Sequence, residues 1–92
     1  MSESAEENFT IVNTLGLHAR AATKLVQTAS RFPCEVEVRR DDQAANGKSV
    51  MGVLLLCGSR GTVITVRATG DQAAACVAAI GALIAARFGE ET

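Results

Sequence analysis

Hydrophobic residues recur along this chain with two different spacings, and each spacing predicts a different kind of element. Residues 9–12 are aromatic or β-branched, and residues 34–39 and 62–68 alternate between apolar and polar side chains. Alternation with a period of two is typical of a strand that buries one face. The pattern therefore predicts three strands, and residues 43–46, which follow a polar turn, predict a weaker fourth strand.

Two longer stretches have apolar residues at spacings of three and four, which is typical of one face of a helix. The first spans residues 19–30, and the second follows Asp71, which is expected to cap it. Residues 50–56 are apolar on too many sides for the period to decide, but Ser49 predicts a cap and a short helix. The residues expected to be buried are Ala19, Ala22, Leu25, Val26 and Ala29 in the first long helix and Ala73, Cys76, Val77, Ile80, Leu83, Ile84 and Phe88 in the last.

The resulting order of elements is βαββαβα, in a chain of 92 residues that is short enough to form one domain. Strands with one apolar face and amphipathic helices pack as two layers, with the helices on one side of a mostly antiparallel sheet. The fold class is therefore α+β, with two layers. We expect residues 9–89 to form the domain, residues 1–8 a frayed N-terminal tail and residues 90–92 a C-terminal tail.

The composition narrows the possible functions. Hydrophobic residues make up 48% of the chain and aromatic residues only 3%, so the core is expected to be aliphatic. The formal net charge of -1 argues against binding of nucleic acid through a basic surface. No apolar run approaches the roughly 18 residues of a membrane span. The first residues are acidic and polar, unlike a secretory signal, so we expect a cytoplasmic protein without membrane insertion.

The three cysteines give no sign of a metal or redox site. Cys34, Cys57 and Cys76 are odd in number and far apart, each lies in or beside an apolar stretch, and the chain has one histidine. A structural zinc site requires closely spaced thiolate or imidazole ligands. We therefore expect the cysteines to be small buried hydrophobic residues, and we predict neither a metal nor a cofactor.

The single histidine, His18, lies where the loop after the first strand becomes the first helix. Neither expected cap position, Leu17 or His18, carries Ser, Thr, Asp or Asn, so the first helical amides should lack a side-chain acceptor. Such a helix start attracts anions, and the guanidinium of Arg20 is suited to phosphate. An ordinary imidazole has a pKa of about 6.5, and the helix dipole disfavours its cation. A neutral nitrogen is therefore available to accept a phosphoryl group.

Other chemistries find less support in the sequence. No Ser or Cys lies in a nucleophile motif, no acidic residue occurs between Glu7 and Glu35, and no nucleotide-binding glycine motif is present. His18 can also be a surface or capping histidine without chemistry. Ser49 is either only a helix cap or a phosphorylation site, because added negative charge is stabilised at a helix start.

Two motifs resemble those of a known family. The sequence GLHAR at residues 16–20, followed by Ala22, is similar to the active-site signature of HPr, the family of histidine-containing phosphocarrier proteins of the bacterial phosphoenolpyruvate-dependent phosphotransferase system. The sequence GKSVMGV at residues 47–53 resembles its regulatory-serine signature. The resemblance covers residues 9–89. It implies a two-layer open-faced β-sandwich, that is, a four-stranded antiparallel sheet in the order 1-4-2-3 with three helices on one face.

The resemblance implies a stoichiometric phosphoryl carrier and not an enzyme. His18 would accept a phosphoryl group on Nδ1 from enzyme I and pass it to sugar-specific A domains, with Arg20 steadying that group. Ser49 would be the target of an ATP-dependent serine kinase. The surface that docks partner proteins would include Lys24, Val50, Met51 and Leu54.

Two other functions fit the sequence as well. One is a regulatory interaction module whose output is set by Ser49, with His18 incidental. The other is a phosphocarrier of a nitrogen-related branch, or one that feeds a regulatory kinase pathway without sugar transport. Gln27 and Ser30 occupy positions where relatives often carry lysines. Fewer positive charges would weaken the attraction to an acidic enzyme I, so the choice of partner stays open.

The chain departs from the family pattern at Ala21, because the family usually has a proline after the arginine. Proline suits a first helical turn, where its missing N–H needs no partner. Ala21→Pro is therefore expected to raise the free energy of unfolding by up to about 1 kcal/mol, measured by chemical denaturation. A clear loss of stability would mean that the backbone here does not accept proline.

Overall fold

The helices and strands follow the predicted order, with one short addition near the end of the chain. The computed structural model describes residues 3–92. The strands are β1 (Ser4–Thr10), β2 (Glu35–Arg40), β3 (Gln43–Asn46) and β4 (Val63–Thr69), and the helices are α1 (Ala19–Ser30), α2 (Val50–Leu55) and α3 (Ala73–Ala85). A 3-10 helix, Arg87–Gly89, follows α3.

The four strands form one antiparallel sheet in the order β1-β4-β2-β3, as the family resemblance implied. Phe9 of β1 pairs with Ile64 of β4, and Val36 of β2 pairs with Ala68 of β4. Successive side chains point to opposite faces of a strand. The inward positions of β2 and β4 are buried, namely Val36, Val38, Ile64, Val66 and Ala68. The two-layer α+β prediction is confirmed.

The first strand begins well before the predicted start at residue 9. Ser4 pairs with Thr69 and Asn8 pairs with Thr65, so residues 4–8 belong to the sheet. The prediction of a frayed tail is wrong for these residues, and Met1 and Ser2 lie outside the described range. Backbone hydrogen bonds hold this part of β1, and its mostly polar side chains give no alternating pattern from which a strand could be predicted.

Three predictions about the last helix need correction. Asp71 is not the cap, because α3 starts at Ala73 after Gln72, whose backbone is left-handed at φ 65°. Phe88 is fully buried, but it lies beyond α3 in the 3-10 helix. Leu83 is only partly buried. The chain turns after Ala85 and therefore does not continue the helical stripe through Phe88.

The core between helices and sheet is aliphatic and closely packed. Ala21 and Ala22 of α1 are fully buried, whereas Ala19, predicted to be buried, is exposed. A Cβ atom added to Gly81 of α3 would lie 2.5 Å from Cε1 of Phe9. The small residues therefore let the helices approach the sheet more closely than larger side chains would allow.

The cysteines follow the prediction in two cases out of three. Cys34 and Cys76 are buried, but Cys57 is exposed in the turn after α2. Burial raises the pKa of the Cys76 thiol to about 12, and a hydrogen bond with Cys34 adds to the shift. A thiol that stays protonated is a poor nucleophile and metal ligand. Within residues 3–92 no three His, Cys, Asp or Glu side chains could hold a metal ion, and no helix is long and apolar enough to cross a membrane.

Candidate functional site

His18 is the residue that caps the start of α1, and it does so with its backbone only. Its φ of -71° and ψ of 176° are extended, and its carbonyl accepts a hydrogen bond from the amide of Ala22 at 2.8 Å. Its side chain makes no capping hydrogen bond. No atom of residues 3–92 accepts a hydrogen bond from the amides of Ala19, Arg20 or Ala21. Ala21 is fully buried, whereas Ala19 and Arg20 are exposed. The helix therefore presents two unpartnered donors, the amides of Ala19 and Arg20, at the positive end of its dipole.

The loop before His18 is held in place by the turn that follows α2. The amide of Leu17 donates to the carbonyl of Gly58 at 2.8 Å, and the Leu17 side chain is buried. Gly16 adopts a left-handed φ of 66°, which an L side chain rarely does. A Cβ atom at Gly16 would lie 2.5 Å from the carbonyl oxygen of Gly58 and 2.9 Å from Cα of Ser59. Close contact between these two backbones fixes the position of His18.

Glu90 contacts the imidazole and is the main feature that the sequence reasoning missed. Its Oε2 makes a hydrogen bond with Nε2 of His18, and its Oε1 accepts a hydrogen bond from Nδ2 of Asn13 at 3.0 Å. Asn13 is fully buried and also donates from Nδ2 to the carbonyl of Gly16 at 2.9 Å. The carboxylate is therefore held between the ring and the loop. Glu90 is separated from His18 by almost the whole chain, so no local motif points to this contact.

The C-terminal segment is attached to the site and does not form the predicted tail. Phe88 is buried, and its carbonyl accepts a hydrogen bond from Nζ of Lys24 at 2.6 Å. The carbonyl of Thr92 accepts a hydrogen bond from the amide of Thr14 at 3.0 Å. Lys24, predicted as a docking residue, thus has an internal partner. Its docking role stays a prediction, and residues 90–92 belong to the folded domain because these contacts hold them.

The contact with Glu90 determines which imidazole nitrogen can react. The pKa of the Glu90 carboxyl lies below its ordinary value, first because of the hydrogen bond with His18 and then because of the one from Asn13. The ionised carboxylate can only accept a hydrogen bond, so Nε2 must carry the proton in the neutral ring. Nδ1 then keeps its lone pair. No atom of the described chain makes a hydrogen bond with Nδ1, and the side chain is 27% exposed, so Nδ1 is the available nucleophile.

Arg20 provides a positive charge at the same helix start. It is exposed in the first turn of α1. Its guanidinium makes no hydrogen bond or ion pair with any residue between 3 and 92. An unpaired guanidinium at the helix start that carries the free amides of Ala19 and Arg20 is suited to the oxygens of a phosphoryl group.

Ser49 caps α2, as the sequence predicted. Its Oγ accepts a hydrogen bond from the amide of Gly52 at 3.1 Å, and its carbonyl accepts one from the amide of Val53 at 3.0 Å. The residue is partly buried. The capping role of Ser49 is therefore present in the structure, and its role as a phosphorylation site stays a prediction.

The exposed large apolar residues differ in part from the predicted docking residues. Met51 is 68% exposed, whereas Val50 and Leu54 are partly buried against the core. Four large apolar residues that were not predicted as docking residues are also exposed, namely Leu55 at 71%, Leu15 at 69%, Val63 at 51% and Val12 at 41%. Large exposed apolar side chains of this kind mark interaction surfaces when they are grouped.

The chain matches known proteins over almost its whole length. Residues 5–86 match the family model described as the PTS HPr component phosphorylation site. Phosphocarrier protein HPr of Neisseria meningitidis serogroup A is 45% identical over 85 residues, which cover 92% of this chain and 96% of that protein. Phosphocarrier protein NPr of Shewanella violacea is also 45% identical over 85 residues, covering 92% and 93%. The crystal structure of HPr-C-His from Thermoanaerobacter tengcongensis is similar with a TM-score of 0.92 and 41% identity, covering 96% of this chain and 99% of that one.

Gly16→Ala is expected to destabilise the protein by more than about 2 kcal/mol. A left-handed L residue costs roughly 1–2 kcal/mol, and the new Cβ would also collide with the backbone at Gly58. The matched control is Gly61→Ala, because Gly61 has a φ of 88° but no atom within 4 Å of an added Cβ. Urea denaturation gives the loss of unfolding free energy in both variants. The excess loss in Gly16→Ala over Gly61→Ala measures the effect of the collision beyond that of the backbone strain. Equal losses in the two variants would mean that the contact between the loops does not fix the site.

Proposed function

Because the chain belongs to the HPr family, the phosphocarrier proteins of the phosphotransferase system, we propose that His18 is the residue that carries the phosphoryl group. Phosphorylated enzyme I is its donor, and sugar-specific A domains are its acceptors. The observation that carries the proposal is an exposed imidazole whose Nε2 is engaged by Glu90 while Nδ1 has no partner. The unpartnered amides of two exposed residues, Ala19 and Arg20, lie at the same helix start.

The chemistry requires few groups from this chain. Nδ1 of His18 attacks the phosphorus atom, and the amides of Ala19 and Arg20 donate hydrogen bonds to the phosphoryl oxygens. Arg20 adds a positive charge on the solvent side. Phosphoryl transfer depends mainly on positioning and on stabilisation of negative charge, so no metal or cofactor on this chain is part of the proposal. The partner protein supplies the rest of the reacting centre. The chain acts as a stoichiometric carrier and not as an enzyme.

Partners would dock on the surface beside His18. We assign this surface to Met51 at its centre, with Val50 and Leu54 at its base and Lys24 at its edge. Partners must bind and leave in each cycle, so a small interface is expected. We expect neither nucleic-acid binding nor membrane insertion in this function. A cytoplasmic location stays a prediction from the sequence.

A phosphocarrier of a nitrogen-related branch is the second candidate. It is favoured by one observation, the identity of 45% to phosphocarrier protein NPr of Shewanella violacea, which equals the identity to phosphocarrier protein HPr of Neisseria meningitidis. The two candidates share the chemistry at His18 and differ only in the partners that deliver and receive the phosphoryl group. The two candidates are distinguished by letting the two kinds of phosphoryl donor compete for this chain and measuring which donor phosphorylates it.

Phosphorylation on His18 is tested by intact-mass measurement. The protein is incubated with phosphoenolpyruvate and enzyme I from a bacterium with a similar HPr, such as Neisseria meningitidis. We expect the mass of one phosphoryl group, lost in acid and stable in base, as a phosphoramidate requires. His18→Ala should gain no mass, and Ser49→Ala should gain it as the wild type does. Absence of added mass in the wild type, or equal labelling of His18→Ala, would refute the carrier role.

Regulation at Ser49 is tested separately with a serine kinase and ATP. We propose that a phosphate on Ser49 is stabilised at the helix start and repels an acidic partner that docks on Met51. The label should survive acid and be absent from Ser49→Ala, which should also lose about 1 kcal/mol of stability with its cap. Ser49→Asp keeps a capping oxygen, so it should retain stability while accepting phosphoryl groups from enzyme I more slowly. Equal kinase labelling of wild type and Ser49→Ala would rule out this site.

A further inference from the structure

We infer that Glu90 is a positioning residue for phosphoryl transfer: held by Asn13, its carboxylate binds Nε2 of His18 and so presents the unprotonated Nδ1 to the phosphoryl donor. The inference rests on the proposed role of His18 and adds the group that prepares it. The sequence predicts a C-terminal tail at Glu90, and neither motif that resembles the HPr family includes this residue.

The first support is that both carboxylate oxygens are engaged. Oε2 contacts the ring, and Oε1 accepts a hydrogen bond from Nδ2 of Asn13. Asn13 is fully buried, and the same Nδ2 donates to the carbonyl of Gly16. A surface carboxylate with one partner can rotate away, whereas this one is fixed relative to the loop that carries His18. Three residues thus form a continuous chain of hydrogen bonds from the protein interior to the imidazole.

The second support is the backbone that returns Glu90 to the site. Arg87, Phe88 and Gly89 have consecutive positive φ values of 57°, 54° and 80°. Non-glycine residues in this region are strained and persist only where the surroundings hold them. Here three features hold the segment. Phe88 is buried, the Phe88 carbonyl accepts a hydrogen bond from Nζ of Lys24, and the Thr92 carbonyl accepts one from the amide of Thr14. The tight turn directs Glu90 towards His18 and not into solvent.

The third support is chemical. In the transfer step a bond forms between Nδ1 of His18 and phosphorus, and the bond from phosphorus to the donor atom breaks, leaving its electron pair on the donor. The proton on Nε2 stays in place, so the ring gains a positive charge as the new bond forms. The carboxylate of Glu90 faces that charge directly and balances it, as the carboxylate does in other acid–histidine pairs. The depressed pKa of the Glu90 carboxyl, caused first by His18, means that the carboxylate is ionised at neutral pH.

The charged groups that act on this pair come from two elements. Glu90 lies on the C-terminal segment, and Lys24 on α1 contributes a weaker electrostatic attraction to its carboxylate. Arg20, also on α1, makes no ion pair with any described residue. Among residues 3–92, Glu90 is the acidic residue in direct contact with the ring. Its removal should therefore change the protonation of Nε2.

The test compares Glu90→Gln and Glu90→Ala with Glu91→Gln, which removes a charge from the exposed neighbour. Nitrogen NMR of His18 above pH 7.5 reports which ring nitrogen is protonated. We expect protonation at Nε2 alone in wild type and Glu91→Gln, and a mixture of tautomers in both Glu90 variants. The rate of phosphoryl transfer from enzyme I should fall about tenfold or more in the Glu90 variants, with KM for enzyme I unchanged because the docking surface is intact. Urea denaturation checks that the fold is retained.

Wild-type tautomer populations or wild-type rates in both Glu90 variants would overturn the inference. Equal effects of the Glu91 and Glu90 changes would do the same, because they would reflect net charge alone. The proposed function fails in a different way: the wild-type chain would then accept no phosphoryl group on His18, whatever its tautomer.

Discussion

The first turn of α1 begins without a side chain that accepts its amide hydrogens, and the architecture around His18 depends on this constraint. A helix start with an ordinary cap would have its donors occupied and would not attract an anion. Here the cap is His18 itself, through its backbone, so the reactive ring and the free donors belong to the same few residues. The close contact of Gly16 with the turn at Gly58 keeps this arrangement rigid without occupying the donors.

The C-terminal segment completes the site from the opposite end of the chain. Glu90 binds the nitrogen of His18 that does not react, and it leaves the helix amides free. The same carboxylate placed on the amides would have blocked the site. The division of roles is electrostatic: the negative group contacts the side of the ring where positive charge develops, and the positive helix end remains available for the phosphoryl oxygens.

The sequence predicts those parts of this structure in which buried apolar side chains recur at regular spacings. The two layers were predictable from the alternation around Ile64 and Val66 and from the apolar spacing in α1. The free amides were predictable because no capping side chain lies beside His18. The start of β1 at Ser4 could not be predicted because backbone pairing holds its polar residues. The contact of Glu90 with His18 was equally invisible, because it depends on a tight left-handed turn at Phe88 that brings distant residues together. The strand order came from the family resemblance alone.

The most direct test of the account is a phosphorus NMR spectrum of the phosphorylated protein with nitrogen-15 in its single histidine. The account predicts one phosphorus signal that is coupled to Nδ1 of His18, with the proton retained on Nε2. A phosphorus signal coupled to Nε2, or one that shows no coupling to the histidine ring at all, would contradict it.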